Sequence, residues 1–116
     1  MVKPLIIAFG SQVKGGATAM SDHDFGVLKE KQLSLSDRVD TVEFIAKKLN
    51  INEDKIDLSD LSSASPLFKF EVARNGQLID GDYADFIRFK VRSFKEYVDT
   101  AKFRRLREKT MMKKYA

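Results

Sequence analysis

The sequence predicts an α/β domain, because short β-branched runs of strand length alternate with longer segments of helical periodicity. The chain has 116 residues, which suffices for one modest hydrophobic core but not for two. Its hydrophobic fraction of 43% and its charged fraction of 33% are typical of an ordinary globular protein. We therefore expect a single folded unit built around one small sheet.

Three segments predict strands, and QLID adds a short extended piece. The run PLIIAF, residues 4–9, is apolar and β-branched and is followed by a glycine. The stretch SDHDFGVL alternates, so that Phe25 and Val27 fall on the core side and the aspartates fall on the other side. A third strand is predicted over residues 55–61, where Ile56 alternates with Asp57.

Three further segments predict helices. SLSDRVDTVEFIAKKLN has Ser34 or Ser36 as its N-cap, acidic residues in its first turn and apolar residues at helical spacing. A second helix starts at Ser65-Pro66 and is closed by Asn75-Gly76. The last helix lies in DYADFIRFKVRSFKEYVDTAKFRRLREKT, with or without a break near Asp99-Thr100. We expect four of its aromatic residues to pack in the core or against a partner, and not to stack on bases: Phe86, Phe89, Phe94 and Phe103.

Charge is unevenly distributed along the chain. Residues 1–87 carry 10 Lys and Arg against 14 Asp and Glu, whereas residues 88–116 carry 11 against 3. A basic tail on an acidic body indicates an anionic partner, such as nucleic acid, nucleotide phosphates or an acidic protein face, or else a solvated terminal helix.

Composition also bears on the compartment. The chain has no cysteine, so neither disulfides nor thiolate metal sites contribute to it. The first apolar run is shorter than a signal peptide requires and far shorter than the about 20 apolar residues of a membrane-spanning helix. We expect a cytoplasmic protein.

The stretch GSQVKGGATAMSDHDFGVL carries the strongest indication of chemistry. Asp22 and Asp24 are separated by one residue, which on a strand places both carboxylates on one face, with Cα atoms roughly 6.6–6.8 Å apart. Magnesium is typically held by one or two carboxylates together with waters and substrate phosphates. Ahead of them, Gly10 and Ser11 offer backbone N–H groups and a hydroxyl to phosphate oxygens, and Lys14 can add a positive charge.

Other phosphate and metal motifs are absent from the sequence. A Walker A loop would need Lys and a hydroxyl residue where Gly16 and Ala17 stand, and a single histidine excludes histidine-rich zinc sites. A two-metal centre requires a third carboxylate, for which Asp57 on the third strand is the candidate and Asp60 the competing choice.

The stretch FGSQVKGGATAMSDHDFGVL resembles the signature of the polymerase-β-like nucleotidyltransferase superfamily, in which Gly-Ser is followed, ten residues later, by Asp-x-Asp. The segment KIDLSDLSSASPLFKFEVARNGQLIDG is similar to the minimal nucleotidyltransferase (MNT) branch, the MntA-type antitoxins. The resemblance covers residues 4–100 approximately, and Lys14 stands where the family usually has arginine.

The resemblance implies a polymerase-β-like nucleotidyltransferase fold, with a small mixed sheet flanked by helices on one side and a C-terminal helical extension. Within a single domain, it divides the chain into a minimal nucleotidyltransferase core, residues 1–81, and a helical extension with a basic tail, residues 82–116. It also implies a site with two Mg²⁺ ions and ATP as substrate. The implied metal ligands and catalytic residues are Asp22, Asp24 and Asp57, and the nucleotide contacts are Gly10, Ser11 and Lys14.

MntA-type proteins are partnered with HEPN-domain ribonuclease toxins, and the family activity transfers AMP from ATP to a toxin tyrosine. The resemblance therefore implies a type VII antitoxin and protein adenylyltransferase that forms a hetero-oligomer with its toxin and requires neither a membrane nor nucleic acid. Two alternatives remain at the level of sequence. One is an antitoxin that neutralises by binding alone, and the other is a nucleotidyltransferase acting on a small molecule or an RNA end.

Overall fold

The computed structural model of the chain describes residues 3–10 and 22–115, without the side chains of residues 108 and 110–115. Its strands and helices confirm the elements predicted from the sequence. The strands are β1 (Leu5–Phe9), β2 (His23–Leu28), β3 (Ile56–Asp60) and β4 (Gln77–Asp80). The helices are α1 (Leu35–Leu49), α2 (Pro66–Asn75) and α3 (Tyr83–Tyr115), and two short 3₁₀ turns span Glu53–Lys55 and Leu61–Ser63.

The four strands form one mixed sheet in the order β3-β2-β1-β4. Strand β1 pairs antiparallel with both β2 and β4, whereas β2 and β3 are parallel. A parallel pair needs a crossover connection, and α1 lies in the segment that joins β2 to β3. This order places the end of β1 beside the starts of β2 and β3, at one edge of the sheet.

Helices cover both faces of the sheet, so the expectation of helices on one side only is wrong. Leu5 and Ile7 of β1 pack against α2 and α3, whereas Ile6 packs on the opposite face with Ile45 of α1. The reason is visible in LIIAF, which is continuously apolar, as in strands that are buried on both faces. Two core clusters result, one on each face of the sheet. The first is Leu5, Ile7, Leu61, Val72, Ala73, Phe86 and Phe89, and the second is Ile6, Phe25 and Ile45.

Short polar residues define the helix ends. The Ser34 hydroxyl accepts a hydrogen bond from the Asp37 N–H, and the Asp37 carboxylate accepts one from the Ser34 N–H, each at 3.0 Å. Of the two predicted caps, Ser34 is therefore the one used. Asn50 ends α1 in the left-handed conformation, and Ser65 caps α2 ahead of Pro66.

Helix α3 is continuous over 33 residues, so the optional break in its basic part does not occur. Its early turns are anchored to the body because Phe86 and Phe89 lie in the core and Tyr97 stacks on Phe70 of α2, with 4.2 Å between ring centroids. Among the helices of the described residues, none combines the length and the apolar character needed to cross a membrane.

Acidification is expected to weaken the start of α1. Hydrogen bonds from the Ser34 backbone N–H and from Lys29 lower the pKa of Asp37 to about 2. A carboxylate whose pKa is lowered in the folded state adds stability above its ordinary pKa of about 4 and loses that contribution as the pH falls towards 2. Urea unfolding should therefore show wild type more stable than Asp37→Asn at pH values above that range, and the gap should close at the acidic end. An unchanged gap across the range would contradict this role.

Candidate functional site

Two carboxylates lie side by side where β2 and β3 begin. Asp24 of β2 is paired in register with Asp57 of β3, so both side chains leave the same face of the sheet. Asp24 is half-buried and Asp57 is exposed. Gly26, two residues after Asp24, lies against Leu61 of the first core cluster, so this is the face that α2 and α3 cover farther along the strand. We call Asp24 and Asp57 the acidic pair.

Gly10 brings the backbone at the end of β1 close to the acidic pair. Phe9, the last residue of β1, is paired with Asp24, and Gly10 follows with a φ of +90°. A Cβ atom at residue 10 would lie 2.8 Å from Oδ2 of Asp24. Glycine is therefore required here both for the backbone conformation and for the space that the Asp24 carboxylate occupies.

The surroundings of Asp24 disfavour an isolated negative charge. Burial raises the pKa of Asp24, and the charges of Asp57 and Asp22 raise it further, while His23 acts in the opposite direction. Like charges at close range and partial burial both oppose ionisation of a carboxyl group. A cation beside the acidic pair would compensate for both effects.

Asp60 has a structural role that distinguishes it from Asp57. Its carboxylate accepts hydrogen bonds from the Leu33 N–H at 2.9 Å, the Ser62 N–H at 3.0 Å and the Ser62 hydroxyl at 2.7 Å. Burial opposes ionisation of Asp60, but these hydrogen bonds lower its pKa overall. It lies at the other end of β3 from Asp57. Of the two candidates for the third carboxylate, Asp57 is the one beside Asp24.

The other predicted site residues lie differently with respect to the acidic pair. Asp22 is exposed and immediately precedes β2. His23 is half-buried and is paired with Ile56, whose side chain packs on the α1 face of the sheet, away from the carboxylates. Ser11 and Lys14 lie outside the described residues, so their nucleotide contacts stay predictions.

The donor set of the acidic pair fits magnesium bound together with phosphates. Within the described residues, no group of three or more histidine or acidic side chains is arranged to hold a metal ion. Two neighbouring carboxylates are nevertheless what Mg²⁺ ordinarily takes from a protein, since it keeps several waters and shares substrate phosphate oxygens. The side chains therefore suit an ion that arrives with a nucleotide better than one held by the protein alone.

A cavity of about 640 Å³ lies away from the acidic pair, near the other end of β2. Leu28, Leu61 and Phe89 contribute apolar surface to it, and Arg92 of α3 contributes a charged side chain. Leu28 is four residues along β2 from Asp24, a distance of about 13 Å on a strand. This cavity is therefore separate from the candidate site.

Comparison with protein families identifies the sheet and its first two helices. The family described as polymerase beta, nucleotidyltransferase, matches residues 4–82 of this chain. That match runs from β1 through β4 and stops immediately before α3. A comparison with curated protein sequences yields no match.

Several solved structures are similar to this chain over nearly its whole length. A toxin–antitoxin complex with AMP-PNP has 29% identity and a TM-score of 0.70, and the alignment covers 92% of this chain and 85% of that one. A tri-AMPylated Shewanella oneidensis HEPN toxin in complex with MNT antitoxin has 26% identity and a TM-score of 0.64, covering 96% and 86% of the two chains. An MntA toxin–antitoxin mutant, in which two aspartates two positions apart are replaced by glutamate, has 27% identity and a TM-score of 0.69, covering 92% and 85%.

Proposed function

The chain belongs to the polymerase beta nucleotidyltransferase family, and from that membership we propose that it is an MNT-type antitoxin that transfers AMP from ATP to a tyrosine of a HEPN ribonuclease toxin. The observation that carries the proposal is the acidic pair, Asp24 and Asp57 in register, with Gly10 against it. Similar chains have been solved with AMP-PNP and with an AMPylated HEPN toxin, which supports both the nucleotide and the acceptor.

The proposed reaction exchanges one phosphorus–oxygen bond for another. The phenolic oxygen of the toxin tyrosine attacks the α-phosphorus of ATP, the bond from that phosphorus to the oxygen bridging it to the β-phosphorus breaks, and pyrophosphate leaves. The phenolic proton has to be removed, because tyrosine has a pKa of about 10 and is protonated at neutral pH. We assign this proton to Asp57, the exposed member of the acidic pair, which a tyrosine arriving from solvent can reach.

The remaining site residues position the nucleotide in this proposal. Asp22, Asp24 and Asp57 would hold two magnesium ions, which polarise the α-phosphate and neutralise the leaving pyrophosphate when bound. Gly10, followed by Ser11, would present backbone N–H groups to the triphosphate, as turns of this kind do. A similar toxin–antitoxin complex has been solved with two aspartates, two positions apart, replaced by glutamate, which is the spacing of Asp22 and Asp24. The use of ATP agrees with the cytoplasmic location expected from the sequence.

Labelled ATP tests the proposed reaction directly. Incubating the chain with its cognate HEPN toxin and magnesium should transfer label to the toxin from ATP labelled on the α-phosphate, and not from ATP labelled on the γ-phosphate. A toxin with the acceptor tyrosine replaced by phenylalanine is the matched control and should stay unlabelled. Transfer of the γ-label would indicate a kinase, and label on neither toxin would contradict the proposed acceptor.

A further inference from the structure

One face of α3 carries a row of exposed apolar side chains. They recur at intervals of four, four, three and four residues, which places them along one side of a helix. From its first to its last residue, fifteen steps along the helix, the row extends about 22 Å. We call it the α3 stripe: Tyr83, Ile87, Val91, Phe94 and Val98, with exposed fractions of 68%, 38%, 62%, 59% and 46%.

The α3 stripe is held in place by contacts on the neighbouring, core-facing side of the helix. Phe86 and Phe89 anchor that side in the core, and Ser93 is buried there as well. A salt bridge of 2.8 Å joins Lys69 of α2 to Glu96 of α3. The stripe is therefore a pre-organised surface, and contiguous exposed apolar surface of this kind on a folded chain marks an interaction site.

The charge along α3 indicates what kind of surface can cover the stripe. Residues 88–116 carry 11 basic against 3 acidic residues, and Lys90 and Lys95 flank the stripe, one on each side. A second copy of this helix laid along the stripe would bring like charges together, which opposes such a pairing. A partner with an apolar face bordered by carboxylates would complement both the stripe and its charges.

The comparisons place α3 in the part of the chain that the toxin–antitoxin structures share. The nucleotidyltransferase family match ends at residue 82, before α3 begins. The matches to toxin–antitoxin structures cover 92% and 96% of the chain, so they include most of α3 even if every unmatched residue lay in that helix. The helix thus goes beyond the matched nucleotidyltransferase region and is present in similar chains crystallised as toxin–antitoxin complexes.

We propose that the α3 stripe is the surface on which the HEPN toxin docks, through an apolar toxin face bordered by Asp and Glu side chains. The identity of the partner rests on the proposed function. The location and chemistry of the surface are inferred independently, from the exposed apolar residues of α3 and the basic residues beside them. Docking here would hold the toxin on a part of the chain separate from the acidic pair, so that binding and AMP transfer can be measured independently.

Binding measured without ATP tests the docking surface. We expect Val91→Glu and Phe94→Glu each to raise the Kd for the cognate toxin at least about 30-fold in calorimetry, because each places a carboxylate in the centre of an apolar contact facing acidic residues. Val39→Glu is the matched control, since Val39 is 50% exposed on α1 and should change the Kd by no more than about twofold. Wild-type binding should also weaken as the salt concentration rises.

Further readouts separate this proposal from the proposed function. A thermal unfolding curve like that of wild type shows that the variants fold. Lys95→Glu reverses an exposed positive charge beside the stripe and tests the same surface by a second measurement, because it should slow association with the toxin. Transfer of AMP to a short peptide that contains the acceptor tyrosine should be unchanged in Val91→Glu.

The possible outcomes distinguish the two proposals. If wild type binds the toxin tightly and both stripe variants weaken that binding, but no AMP is transferred, the docking surface is supported and only the proposed function is overturned. The docking surface is overturned if Val39→Glu weakens toxin binding as much as the stripe variants do. It is also overturned if the stripe variants abolish self-association of the chain and leave toxin binding unchanged.

Discussion

Replacing Asp57 by asparagine is expected to lower AMP transfer to the toxin by about three orders of magnitude without lowering the stability of the fold. The loss corresponds to about 4 kcal/mol of transition-state stabilisation, as expected when a metal-binding carboxylate that also accepts a proton is neutralised. Stability is retained because Asp57 is exposed and its charge opposes ionisation of Asp24 in the folded protein. Initial rates of label transfer and urea unfolding of the same preparation measure the two effects.

Asp60→Asn is the matched control for this substitution, and the opposite pattern is expected of it. An amide can replace only one of the two carboxylate oxygens that accept hydrogen bonds from Leu33 and Ser62, so one of these donors loses its charged partner. The cost to the free energy of unfolding is about 1–3 kcal/mol. Transfer per folded molecule should be close to wild type. If Asp60→Asn abolished transfer and Asp57→Asn did not, the third carboxylate would be Asp60, and the proposed acidic pair would be wrong.

The difference between Asp57 and Asp60 shows what sequence patterns establish and where they stop. Strand alternation predicts that the two residues face opposite sides of β3, but it cannot say which side meets Asp24. That depends on the register between β2 and β3, which is set by pairing across a long crossover. The Gly-Ser and Asp-x-Asp spacing, by contrast, is local along the chain and could be recognised directly in the sequence.

The helices also show a limit of prediction from sequence, which here concerns the burial of apolar residues. The sequence predicts the apolar repeat of α1, yet only Ile45 is fully buried, while Val39 and Leu49 stay partly exposed. In α3 the apolar residues form two adjacent faces of the helix. Helical spacing in the sequence does not distinguish the residues of one face from those of the other. Phe86 and Phe89 lie in the core while Phe94 is 59% exposed on the neighbouring face. Helical spacing identifies apolar positions, but the orientation of the helix on the sheet decides which of them are left for a partner.

Gly10→Ala is expected to reduce AMP transfer about 100-fold, although the change adds a single methyl group. The new Cβ would lie 2.8 Å from Oδ2 of Asp24, and the nearest group able to move is the carboxylate itself. A displacement of about 1 Å at a catalytic group costs about two orders of magnitude in rate. The φ of +90° adds backbone strain of about 1–2 kcal/mol for a residue with a side chain. Initial rates of label transfer and urea unfolding measure both effects.

Gly81→Ala is the control that distinguishes the two effects of Gly10→Ala, which are displacement of the Asp24 carboxylate and backbone strain. Gly81 has a φ of +119°, and a Cβ there would lie 2.8 Å from Leu5 and 2.9 Å from the carbonyl oxygen of Pro4, at the start of β1. This variant should therefore lose at least as much stability as Gly10→Ala, but at the end of the sheet away from Asp24. If both variants lowered transfer per folded molecule equally, general loosening of the sheet would explain the effect. If only Gly10→Ala lowered AMP transfer per folded molecule, the lack of a side chain at residue 10 would be what keeps the Asp24 carboxylate in its reactive position.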